Sequence, residues 1–175
     1  MNTTDKQILV IEDNKYSMNR IRNILKGIPD IIIIKADNSG DAYKYALEYT
    51  IDLFIIDIIL ETTKEADISG IKFAETIRGI ERYEFTPMIF TTSMQDSQLY
   101  AYANLHCYKY FEKPYDEKEL LQAVMQALRF HQSRKEQKEN YCYKEDGILY
   151  VIKAKEIVYI DNPVSYTHLT LPTIA

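Results

Sequence analysis

Five short apolar runs punctuate residues 1–130, and each stops at a polar or charged residue. They are Gln7–Ile11, Ile31–Lys35, Asp52–Ile56, Pro87–Thr91 and Tyr108–Phe111. Runs this short are below helix length, and β-branched Ile and Val are prominent in them, so each reads as a strand, the first of them buried. The stretches between them have helical spacing. Lys15–Gly27 carries Met18, Ile21, Ile24 and Leu25 in phase, with Ile28 just beyond, and Gly27 and Pro29 supply its stop. Ser39–Tyr49 places Tyr43, Ala46 and Leu47 on one side, and Gly70–Ile80 does the same with Ile71, Ala74 and Ile77. Gln95–Leu105 is a weaker pattern built on Leu99, Tyr102 and Ala103. Asp116–Phe130 is strongly amphipathic through Leu120, Leu121, Val124, Ala127 and Leu128. Strands separated by single helices require parallel crossovers, which predicts an α/β fold: a doubly wound five-stranded parallel sheet covered on both faces.

Composition narrows the class further. The 175 residues are 46% hydrophobic and 27% charged, which excludes general disorder. Cys107 and Cys142 cannot form a disulfide framework, and with three histidines they lack the spacing of a zinc site. Residues 1–130 hold 15 Lys and Arg against 20 Asp and Glu, and residues 131–175 hold 6 of each, so no basic stripe marks a nucleic-acid surface. MNTTDKQILVIED has no basic region ahead of a long apolar stretch, and the IIII run at 31–34 is far too short to span a bilayer. These features predict a soluble, cytoplasmic protein without a membrane partner.

In an open parallel sheet, ligands bind outside the carboxyl ends of the strands. The residues there are Glu12 and Asp13 after the first run, Asp57 after the third, Thr92 and Ser93 after the fourth, and Lys113 after the fifth. Carboxylates gathered in one crevice repel each other unless a cation neutralises them. A hard divalent ion such as Mg²⁺ does so with oxygen ligands and leaves room for a phosphate. Lysine adds a point charge for a phosphoryl oxygen, and a hydroxyl can donate to another. The set points to phosphoryl chemistry with a carboxylate as acceptor.

The motifs VIEDN at 10–14, FIIDI at 54–58, IFTTS at 89–93 and YFEKPY at 110–115, in this order and at strand ends, resemble the receiver domain of two-component response regulators over residues 6–130. The resemblance implies a flavodoxin-like receiver fold in which Asp57 is the phosphoacceptor. By the same resemblance Asp13 ligates Mg²⁺ directly, Glu12 assists through water, and the backbone carbonyl of Ile59 is a further ligand alongside Asp57. Lys113 matches the lysine that contacts the phosphoryl group, and Pro114 follows it in a peptide the family often holds cis. Thr92 matches the switch hydroxyl, with Thr91 as the competing residue one position earlier. Tyr110 matches the switch aromatic, although it is one of fifteen tyrosines. The implied partner is a sensor histidine kinase, with homodimerisation on phosphorylation. The implied role is that of a phosphoacceptor rather than an enzyme, self-dephosphorylation aside. His106 and His131 read as surface or interface residues, and Cys107 as an inert buried thiol.

The stretch IILETTKEADIS at 58–69 departs from the pattern. It is longer than the family usually has, and it lacks the proline common soon after the acceptor. It reads either as a tolerated surface insertion or as an acidic loop that tunes the site.

Residues 131–140, HQSRKEQKEN, are a polar stretch extending or following the last helix and read as a linker. In YCYKEDGILYVIKAKEIVYIDN, Asp146-Gly147 signals a hairpin, with strands at Ile148–Ile152 and Ile157–Ile160. Residues 141–162 resemble the opening of a LytTR-type DNA-binding domain, which implies DNA contact through a full-length output domain only. Alone, this stretch lies well below the ~40 residues at which stapled domains become possible. From about Val164 the tail, PVSYTHLTLPTIA with Pro163, loses all charge and periodicity. It resembles the translation of an adaptor oligonucleotide, so residues 163–175 are expected to be non-native.

Other classes fit less well. A stand-alone receiver acting through protein contact would need no output domain. An aspartyl phosphohydrolase usually has a second acid two residues on, where Lys15 and Ile59 stand here. A flavin-binding domain wants a hydroxyl- and Gly-rich loop after the first strand, and EDNKYS is acidic instead.

Overall fold

The computed structural model describes residues 5–60, 68–93, 105–138, 140–145, 148–153, 159–161 and 168–170. Up to His131 the chain forms one compact unit. Its strands are β1 (Lys6–Ile11), β2 (Ile31–Ala36), β3 (Leu53–Asp57), β4 (Met88–Thr92) and β5 (Lys109–Glu112). The helices are α1 (Lys15–Leu25), α2 (Ser39–Glu48), α3 (Ser69–Arg78) and α4 (Glu117–Lys138), with a 3₁₀ turn at Glu81–Tyr83. The helix expected at Gln95–Leu105 lies, apart from Leu105, outside the described residues.

The strands form a five-stranded sheet in the order β2-β1-β3-β4-β5, parallel throughout. This is the doubly wound architecture that the alternating runs predicted. β3 and β4 each extend one residue past their expected ends, because the ladder continues through Asp57↔Thr91 and Thr92↔Glu112. Backbone pairing is indifferent to side-chain polarity, so a charged last residue does not end a strand.

Alternation along the strands divides the core in two. Leu9, Ile11, Phe54, Ile56, Met88 and Phe90 pack with residues of α2 and α3, including Ala42, Ala46, Phe73 and Ile77. Ile8, Val10, Leu53, Ile55, Ile89 and Phe111 pack with α1 and α4 through Ile21, Leu25, Leu120 and Val124. β3, β4 and most of β1 are covered on both faces, which is why they are unbroken apolar runs, whereas the edge strands β2 and β5 are only partly buried and Ile32 is 44% exposed. Each fully buried Ile, Leu or Phe stabilises the fold by about 1.5–3 kcal/mol.

Local signals fix the helix starts. The Asn14 side chain accepts from the backbone N–H groups of Tyr16 (2.9 Å) and Ser17 (3.1 Å), so α1 begins at Lys15, two residues past Asp13. Asn38 caps α2 through the N–H of Asp41 at 2.8 Å. At the amino end of β4 and β5, Arg78 donates to the carbonyls of Tyr83 (2.8 Å), Thr86 (2.7 Å), Glu84 (3.2 Å), Leu105 (2.9 Å) and His106 (3.4 Å).

Residues 132–175 form a second unit. β6 (Asn140–Glu145) and β7 (Ile148–Lys153) pair antiparallel, as the hairpin signal predicted, and the turn residues Asp146 and Gly147 lie outside the described residues. β8 (Tyr159–Asp161) pairs antiparallel with β9 (His168–Thr170). The stretch expected as a linker is helical as far as Lys138, since HQSRKEQK contains no Gly or Pro to stop α4. No helix among the described residues is long and apolar enough to cross a membrane.

Candidate functional site

β1 pairs with β2 on one side and β3 on the other, so the chain order reverses between them. The crevice at that reversal, beyond the strand carboxyl ends, is where a ligand site forms in such sheets. The acids and the lysine singled out in the sequence meet there.

Glu12 and Asp57 are almost fully buried, at 2% and 5% exposure. The Lys113 ammonium donates to Glu12 Oε2 at 2.7 Å and to Asp57 Oδ2 at 2.6 Å. Asp57 Oδ1 accepts the backbone N–H of Ile59 at 3.1 Å, and Glu12 Oε1 accepts that of Asn14 at 3.2 Å. Asp13 is half-buried, and one carboxylate oxygen from each of Glu12, Asp13 and Asp57 lies within 4.8 Å of the others. Three acids thus face one ammonium.

Burial, reinforced by the charge of Asp57, pushes the Glu12 carboxyl up to about 7 against the opposing pull of Lys113. The same two causes raise Asp13. Burial depresses the Lys113 ammonium, but Asp57 and Glu12 together outweigh it and its pKa rises. The site is therefore short of positive charge, and its donor set of carboxylate oxygens suits a hard divalent cation.

Backbone geometry aims these groups. The Lys113 N–H donates to the Thr92 carbonyl at 2.8 Å, continuing the β4–β5 ladder by one rung, and the Lys113–Pro114 peptide is cis. Arg20 of α1 donates to the carbonyl of Tyr115 at 3.2 Å and to Glu117 Oε1 at 2.9 Å, fastening the segment just past Lys113 to α1.

Thr92 and Tyr110 are placed differently. Both are in strands, and alternation puts them on the α2–α3 side with Phe90, where Tyr110 packs half-buried against the core. Asp57 lies on the opposite side, in line with Leu53 and Ile55. Thr92 is fully buried. Of the expected metal ligands, Ile59 is placed by its N–H bond to Asp57.

Gly70 is a site residue that periodicity did not reveal. A Cβ there would lie 1.9 Å from the Asp57 carbonyl oxygen, and the Gly70 N–H bonds the Ile58 carbonyl at 3.0 Å. Only glycine lets α3 approach the backbone of Asp57 so closely. The available signal was a glycine at a helix start soon after a site strand.

A doubly wound sheet with three clustered acids and a lysine at its switch point is the arrangement of a receiver domain. Residues 8–125 match the family model of the response regulator receiver domain. The chain belongs to this family, and receiver domains in general bind Mg²⁺ at such an acidic pocket and interact with histidine kinases. It is 34% identical over 89 residues to a probable transcriptional regulator, ycf29, of Porphyra purpurea, covering 50% of this chain and 40% of that protein. The match thus spans less than half the length of that relative. Among solved structures, the signal receiver domain of an HD domain-containing protein from Pseudomonas fluorescens is 25% identical with a TM-score of 0.64, covering 73% of this chain and 98% of the other. A CheY-like receiver from Methanospirillum hungatei is 18% identical with a TM-score of 0.62 over 74% of this chain and 98% of its own, and shows the fold alone.

Proposed function

We propose that this response regulator receives a phosphoryl group on Asp57 from a sensor histidine kinase, in a reaction that depends on Mg²⁺. The observation that carries the reading is the buried contact of Lys113 with both Asp57 and Glu12. An Asp57 oxygen attacks phosphorus, the O–P bond forms, and the donor P–N bond breaks. The leaving imidazole nitrogen keeps the electron pair and is neutral if its other nitrogen carries a proton. Lys113, freed from its carboxylates, holds a phosphoryl oxygen. Asp13, Asp57 and the Ile59 carbonyl would hold the metal, with Glu12 assisting through water. When bound, Mg²⁺ supplies neutralisation of the transferring group. Thr92 and Tyr110 lie on the α2–α3 side of the sheet, and in this reading they carry the change to the sheet edge at β5.

The protein acts in the cytoplasm as a phosphoacceptor and not as an enzyme, and it pairs with a second copy when phosphorylated. Its output is transcriptional, through a LytTR-type DNA-binding domain that begins near residue 141. Support comes from the β6–β7 hairpin and from the relative described as a transcriptional regulator.

The test uses a small acyl phosphate donor with Mg²⁺ and a phosphate-affinity gel. Wild type shifts, Asp57→Asn does not, and chelation of the metal prevents the shift. Labelling that persists in Asp57→Asn moves the acceptor elsewhere.

A further inference from the structure

One buried polar group beside the site has no use in the mechanism above. Thr91 is completely buried, and its Oγ1 has no hydrogen-bond partner. Register places it directly opposite Asp57 on the neighbouring strand, with Phe111 opposite it on the other side. Alternation puts Ile89, and therefore Thr91, on the α1–α4 side of the sheet, the side of Asp57. Thr92, the residue the family motif selects, is on the other side. Opposed residues in parallel strands are about 5 Å apart, within reach of a hydroxyl and a carboxylate. A hydroxyl buried without a partner is unfavourable, and such groups in folded proteins call for a functional explanation.

We infer that Thr91 is a positioning residue whose hydroxyl donates to the Asp57 carboxyl group once that group carries phosphate. In the unphosphorylated protein both Asp57 oxygens already have donors, Ile59 N–H on Oδ1 and Lys113 on Oδ2. Phosphorylation changes this. The phosphoryl group attracts the ammonium away from the carboxyl oxygen, which then loses its donor among the described residues. Thr91 is the free donor on the adjacent strand and the same face. The inference rests on the proposed acceptor role of Asp57.

The experiment compares wild type, Thr91→Val and Thr91→Ser in the full chain. Each is phosphorylated with a small acyl phosphate and Mg²⁺, the donor is removed, and decay is followed on a phosphate-affinity gel. Thermal unfolding of the unphosphorylated proteins is measured in parallel. Thr91→Val replaces the hydroxyl by a methyl of the same shape. It should raise the thermal midpoint by roughly 2–4 °C and shorten the phosphoprotein half-life about fivefold. Thr91→Ser should lower the midpoint yet keep a half-life near wild type. Opposite signs for stability and lifetime in Thr91→Val, with rescue by Ser, separate positioning from packing. A Thr91→Val half-life equal to wild type overturns the inference while leaving Asp57 as acceptor. Wild type that takes up no phosphate removes the acceptor reading itself, and the inference falls with it.

Discussion

The two ends of the central sheet solve the burial of charge in opposite ways. At the amino end, Arg78 is half-buried with backbone carbonyls as its hydrogen-bond partners. Burial lowers its guanidinium to about 10, still far above neutral, so the charge stays and the segments before β4 and β5 are tied to α3. At the carboxyl end, one ammonium serves three acids, and Glu12 titrates near neutrality. The first end has its donors satisfied and is built to stay as it is. The second is left short of charge and is built to accept something. A buried ion is fixed when its hydrogen bonds are complete and responsive when they are not.

The comparison breaks most visibly at Arg78. Arg78→Met strands several half-buried carbonyls and should lose about 2–3 kcal/mol in urea unfolding. Added Mg²⁺ should recover the same increment as in wild type, since the metal acts at the far end. A loss below about 1 kcal/mol would mean that the carbonyl cage is not what secures that end.

At the carboxyl end the corresponding lever is pH. Glu12 has its folded pKa raised above 4.5, so the folded state holds the proton more tightly than the unfolded one. Its contribution is full below about 4.5 and is lost as pH rises through about 7. Metal-free protein should therefore lose roughly 2 kcal/mol between pH 5 and 8, and millimolar Mg²⁺ should reduce that loss by binding the folded state. Thermal unfolding in chelator and in Mg²⁺ measures both. A stability that rises across this interval would refute the charge shortage.

Gly70→Ala sharpens the contrast from within the site. Its methyl meets the Asp57 carbonyl, so α3 and β3 must separate, at about 1–3 kcal/mol and with slower phosphate uptake at Asp57. Unfolding and gel-shift rates should move together. The smallest effect belongs to Asn14→Ala, about 1 kcal/mol from the lost cap of α1, with the Lys113 contacts intact.

The sequence made some of this legible and hid the rest for definite reasons. Glu12, Asp13, Asp57 and Lys113 were readable because each follows an apolar run, and parallel topology brings strand ends together. The strand assignments were readable because both sheet faces are covered and the runs stay apolar. Gly70 was hidden because its role is a backbone approach across the fold. The cage around Arg78 was hidden because its partners are carbonyls, which no sequence pattern marks. The separate faces of Thr91 and Thr92 required the register, since a shift of one residue exchanges them. Whether residues 131–140 extend the last helix or follow it was left open by the sequence, because polar composition alone does not end a helix, and α4 runs on to Lys138.

Lys113 reaches back 101 residues to Glu12 and 56 to Asp57. The site therefore exists only after β5 has joined the sheet edge. A chain still emerging from the ribosome, or one clipped before residue 113, keeps its acids but has no ammonium to set against them. Under the proposed acceptor role of Asp57, competence to take up phosphate would certify that β5 is in place, and copies lacking it would be silent in signalling without any separate surveillance.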